Sequence, residues 1–122
     1  MPIVDIEIVG GPNNAPPPSL AQAVADAAGP IFGTAPGGTW VRLRMLAAAQ
    51  YAESALAVAP AERPVFVTVT RRELPDRGKL TAEIAALTET IARILQRPPA
   101  RVHVEYAPAG GGRIAFGGTL VE

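Results

Sequence analysis

Met1-Pro2-Ile3-Val4-Asp5-Ile6-Glu7-Ile8-Val9 alternates from its third residue onward, with Val4, Ile6 and Ile8 on one side and Ile3, Asp5 and Glu7 on the other. That is the period of a half-buried β-strand. An initiator Met that precedes a small residue such as Pro is normally excised, which leaves Pro2 with a free secondary amine. The strand then carries a base at its first residue. A plainer reading treats Pro2 as an ordinary strand opener at a place where no N–H is needed, so the rest of the chain has to separate the two.

Downstream of this strand, the Gly- and Pro-rich stretch from Gly10 to Pro18 predicts a loop. Ser19 is a good N-cap for a helix over Leu20 to Ile31, with Leu20, Val24, Ala27 and Ile31 on one face, and Gly29-Pro30 is expected to end or kink it early. The turn Gly33 to Gly38 leads into a second alternating strand, Thr39 to Leu46, with Val41, Leu43 and Met45 opposite Trp40, Arg42 and Arg44. Residues 47 to 62 carry neither period and predict an extended loop or hairpin arm. Pro64 to Thr70 is a dense β-branched run, expected as a central strand. Asp76 is placed to cap a longer helix with the stripe Leu80, Ile84, Leu87, Ile91 and Leu95, which Pro98-Pro99 should stop. Arg101 to Tyr106 predicts the fourth strand, and Ala109 to Gly118 a Gly-rich tail with a short extended piece.

Read as β-α-β followed by β-α-β, the chain looks like two copies of one unit, about residues 1 to 61 and 62 to 122, with Pro2 and Pro64 opening the halves. Two right-handed crossovers side by side predict an α+β fold in a single domain: a four-stranded sheet with both helices on one face. The other face, carrying Trp40 and Phe66, is expected to be an apolar patch in need of a cover, which oligomerisation supplies.

Composition narrows the function. The 122 residues suit one domain, and 11 basic residues balance 11 acidic ones, which disfavours nucleic acid and anionic membranes as partners. With no Cys and one His, thiolate metal sites, histidine metal clusters and a Cys nucleophile are excluded. Asp5 and Glu7 share a face but bring too few oxygens for a metal. No signal segment and no apolar run of about 18 residues is present, so a cytoplasmic protein is expected.

The Met-Pro start on an alternating strand, two βαβ units of about sixty residues, an Arg in the second strand and the tail Arg113-Ile114-Ala115-Phe116-Gly117-Gly118 together form a pattern. In these respects the chain resembles the tautomerase superfamily, which includes 4-oxalocrotonate tautomerase (4-OT), malonate semialdehyde decarboxylase, the 3-chloroacrylate dehalogenases and macrophage migration inhibitory factor. The resemblance implies a homotrimer of βαββαβ subunits without a cofactor, each N-terminal proline lying in a pocket completed by a neighbouring chain. It also implies a small carboxylate-bearing substrate.

Keto–enol tautomerisation needs a base that is neutral near pH 7 and can return its proton to carbon. Burial and nearby cations both push an amine towards its neutral form, so a proline amine is tunable in this way; left protonated, it would act as a general acid, as the resemblance to the decarboxylase and the dehalogenases implies. A guanidinium would hold the substrate carboxylate and a developing dienolate. By position, Arg42 matches the arginine of the short tautomerases, and Arg72 lies near the catalytic arginines of the decarboxylase and dehalogenase groups, with Arg71 leaving the register open. Arg44 shares the face of Arg42. Tyr51, beside Glu53 in the arm, is a candidate hydrogen-bond donor to substrate. His103, Arg113 and Phe116 are candidate pocket residues, although a polar strand face, the surface and the core are their default uses. The expected activity is a proline-dependent tautomerase. A decarboxylase or hydratase-dehalogenase, and a non-catalytic binding module, stand as alternatives. Retention of Met1 would make the Pro2 nitrogen an amide and block the amine chemistry.

Overall fold

A computed structural model describes residues 2–10 and 17–122. Met1 and most of the loop predicted over Gly10 to Pro18 lie outside the described residues. The elements run β1 (Ile3–Val9), α1 (Leu20–Phe32), β2 (Trp40–Leu46), β3 (Val65–Thr70), α2 (Arg77–Leu95) and β4 (Val102–Tyr106), followed by a small hairpin of β5 (Ala115–Phe116) and β6 (Thr119–Leu120). The main sheet has the order β2-β1-β3-β4. Its outer pairs β1–β2 and β3–β4 are parallel, and the two halves join through antiparallel β1 and β3.

Both helices cover one face of this sheet. Val4, Ile6 and Ile8 from β1 and Val65, Val67 and Val69 from β3 point inward and meet Val24, Ala28 and Phe32 of α1 and Leu87 and Ile91 of α2 in one core. The central strands bury every second side chain because each is flanked by strands on both sides and roofed by helices. Half-buried Val41, Leu43 and Val104 extend this layer onto the edge strands.

Several expectations are corrected. Helix α1 does not end at Gly29-Pro30 but runs on to Phe32. Pro30 costs one backbone bond near the C-terminus, and burial of Phe32 together with closure by Gly33, whose φ of 70° lets its N–H reach the final carbonyls, outweighs it. The buried stripe is Val24, Ala28 and Phe32, one position round from Ala27 and Ile31. Ser19 occupies the cap position without a side-chain cap bond; its φ and ψ are already helical, and the Leu20 N–H donates instead to the Pro17 carbonyl at 3.1 Å. Helix α2, by contrast, ends ahead of Pro98-Pro99 as expected, closing at Gln96 in the left-handed conformation. The open face is not an apolar patch: Asp5, Glu7, Arg42, Arg44, Thr68 and Glu105 share it with Trp40 and Phe66, since strand alternation that fills the core with Val and Ile leaves the polar set outside.

Asp76 caps α2 as the sequence predicts, its carboxylate accepting from the Lys79 N–H at 3.0 Å. Asp76→Ala is therefore expected to cost about 1 kcal/mol, read as a lowered urea midpoint with unchanged slope. Equal midpoints would show that the cap contributes nothing here.

Candidate active site

Pro2 is buried at the mouth of the sheet. Its carbonyl accepts from the Trp40 N–H at 3.0 Å, which fixes it beside the edge strand β2. On its other side, Ile3 pairs with Thr70, so the antiparallel register carried one residue further sets Pro2 across from Arg71. By alternation Pro2 and Arg71 both continue the inward rows, Val4-Ile6-Ile8 and Val65-Val67-Val69. They share the helix-covered face.

The tail closes this end of the sheet. Ala107 N–H donates to the Val69 carbonyl (2.9 Å), Gly110 N–H to Arg71 (2.7 Å) and Gly111 N–H to Arg72 (2.9 Å), after which the chain crosses to β2. There Phe116 meets Trp40 edge-on with ring centroids 4.7 Å apart. Gly111 permits the approach, because a Cβ at that position would stand 3.1 Å from the Arg72 carbonyl. The tail thus closes the end of the sheet at which Pro2 is buried.

Arg71 has defined partners. Its Nη1 donates to a carboxylate oxygen of buried Glu83 on α2, its guanidinium carbon stands 5.3 Å from the centroid of the Phe32 ring, and the Tyr106 hydroxyl donates to the other oxygen of Glu83. Burial, then the bond to Glu83, pushes the Tyr106 hydroxyl well above its ordinary range, so it stays a donor. Beside this cluster opens a cavity of about 670 Å³, lined by Phe32, Arg71, Leu74, Lys79 and Glu83 among others. Pro2 is not among the residues that line this cavity.

The other predicted residues lie elsewhere. Arg72 is exposed on the opposite face from Arg71. Arg42 forms a two-pronged ion pair with Asp5, its register partner, with Nε at 2.5 Å and Nη2 at 2.9 Å. The Asp5 hydrogen bond, then its charge, raises the Arg42 pKa further. Arg44 pairs in register with Glu7 on the same open face. Arg113 is exposed on the tail turn, and Phe116 packs on the ring of Trp40.

Tyr51 and His103 gather at the far end of the sheet. Tyr51 packs on Phe66 (5.8 Å) and His103 on the same ring (5.6 Å). The Tyr51 hydroxyl donates to Glu53 at 2.7 Å, Arg101 pairs with the same carboxylate, and these two contacts, Tyr51 first, hold Glu53 below the usual carboxylate range. Phe66 is opposite Glu7, five residues along β1 from Pro2, which at about 3.3 Å per residue is roughly 17 Å. Within one chain they do not reach Pro2.

Sequence reading missed Glu83 and Tyr106 and left Arg71 undecided. The parity of Val65, Val67 and Val69 points to Arg71, and Glu83 stands four residues before Leu87 and eight before Ile91 on the buried row of α2. No helix of the described residues is long and apolar enough to cross a membrane, and no cluster of three or more potential metal ligands occurs among them.

No protein-family model and no curated protein matches the sequence. Solved structures do match. A fused 4-OT wild-type symmetric trimer superposes with a TM-score of 0.78 at 18% identity, covering 98% of this chain and 94% of that one. Macrophage migration inhibitory factor from Oncomelania hupensis gives 0.74 at 16% identity, with coverage of 100% and 83%. Malonate semialdehyde decarboxylase gives 0.70 at 18% identity, with coverage of 94% and 90%. The chain has the fold of these tautomerase-superfamily proteins.

Proposed function

We propose that this protein is a cytoplasmic homotrimeric tautomerase in which Pro2, freed by removal of Met1, is the general base. Its substrate is a small enol or 2-hydroxydienoate carboxylate. The observation that carries the reading is the placement of Pro2, buried as the first residue before β1 and across the register from Arg71. The secondary amine takes the enol hydroxyl proton and returns it to carbon. Arg71 holds the carboxylate and stabilises the dienolate oxygen as its charge grows. The buried setting of Pro2 limits the access of water to the amine. Tyr51 and His103, too far from Pro2 in their own chain, would serve the pocket of a neighbouring copy. A trimer provides that copy, as the fused 4-OT trimers of this fold do.

The direct test begins with the intact mass of untagged protein made from a start codon at Met1. A mass lacking one Met, a trimeric mass in solution and ketonisation of phenylenolpyruvate or 2-hydroxymuconate are the expected results. A retained Met with no turnover would end the amine mechanism. Decarboxylation of a 3-oxo acid without tautomerase activity would transfer the same residues to the decarboxylase reading, with Pro2 protonated.

A further inference from the structure

The chemistry above leaves one buried charged group unused. Glu83 lies in the second turn of α2 with only 9% of its surface exposed, where a carboxylate persists only if paired. Three elements converge on it: the end of β3 through Arg71, the end of β4 through Tyr106, and α2, which carries it. Arg71 is further confined by the ring of Phe32. A well-packed apolar side chain fills such a gap at no greater cost than an ion pair. What an apolar residue cannot do is pin a guanidinium and cancel part of its charge.

Resting on the reading of Pro2 as the base, we infer that Glu83 is a positioning residue that holds Arg71, the residue across the register from Pro2, and offsets its charge, so setting the pH at which the amine becomes a base. The other charged or titratable groups around the cluster are Glu73 after β3, Asp76 at the cap of α2, Lys79 on α2 and Tyr106 on β4; α1 contributes Ile31 and Phe32, which are uncharged. Glu83 is the anion bonded to Arg71. Neutralising it leaves an uncompensated cation on the residue across the register from Pro2, which favours the uncharged amine at lower pH.

Bromopyruvate reads this without turnover. The neutral amine attacks its methylene carbon, the N–C bond forms as C–Br breaks, bromide leaves and the amine proton goes to solvent; no cysteine competes. The rate of the Pro2 adduct, followed by peptide mass against pH, has its midpoint at the amine's titration. In E83Q the midpoint is expected to fall by about half to one pH unit. E83D keeps the charge one methylene farther away, should fall in between, and decides the matter if E83Q does not fold, as thermal melts will show. Unmoved midpoints in folded variants of a wild type that labels at Pro2 overturn this inference alone. A wild type that gives no Pro2 adduct overturns the reading of Pro2 as the base, and this inference with it.

Discussion

Pro2→Ala is expected to lower kcat/KM for ketonisation by about a hundredfold, at the low end of the 10²–10⁴ that a positioned general base contributes. The substitution still permits Met1 removal and leaves a primary amine, which can take a proton but is less basic and lacks the ring that fixes its direction. A second variant separates amine chemistry from fold: one residue inserted before Pro2 and retained makes the Pro2 nitrogen an amide, and its activity should drop to background. Both variants should keep the trimeric mass, because β1 is paired on both sides from Ile3 onward without help from the Pro2 nitrogen. Steady-state rates on one enol substrate, with the oligomer mass measured on the same samples, decide the point. Full activity in the extended variant would remove Pro2 from the mechanism.

Arg71→Met should be more damaging than Arg72→Met, in both stability and rate. Removing Arg71 strands the Glu83 carboxylate, whose side chain is 8% exposed, with Tyr106 as its remaining partner. Breaking a buried pair from one side costs about 3 kcal/mol, roughly 10 °C in Tm for a domain of this size. Losing the cation that stabilises the dienolate costs about 10²–10³ in kcat. Arg72, exposed and tied to the tail only through its carbonyl, should give close to wild-type melts when replaced by Met. Thermal unfolding and kcat/KM of the two variants side by side provide the measurement. If Arg72→Met loses the rate while Arg71→Met keeps it, the substrate anion is held from the open face and the assignment made here is reversed.

Local chemistry made most of the fold legible. The alternation of Ile3 to Val9 and the β-branched run before Thr70 were sufficient for the two central strands, because a strand buried on one face must place apolar residues at every second position. Asp76 was legible as a cap for a similar reason, since a helix start leaves N–H groups that a nearby carboxylate satisfies. Helix α1 shows where such reasoning fails. Pro30 carries a local stop signal, and the burial of Phe32 two residues later overrode it, an energy that no window of sequence contains. The open sheet face was misread because Trp40 and Phe66 were weighed without the charged residues beside them.

For the site, sequence by itself nominated Pro2 as the candidate base and determined that arginines flank the strands. Tertiary structure decided which arginine shares the face of Pro2. It paired Arg42 with Asp5, turned Arg72 outward and set Arg71 on Glu83, because cross-strand register and helix placement fix the partners of a long charged side chain, and both depend on residues up to 37 positions apart. Only the fold likewise put Tyr51 and His103 at the far end of the sheet, where strand length separates them from the amine of their own chain.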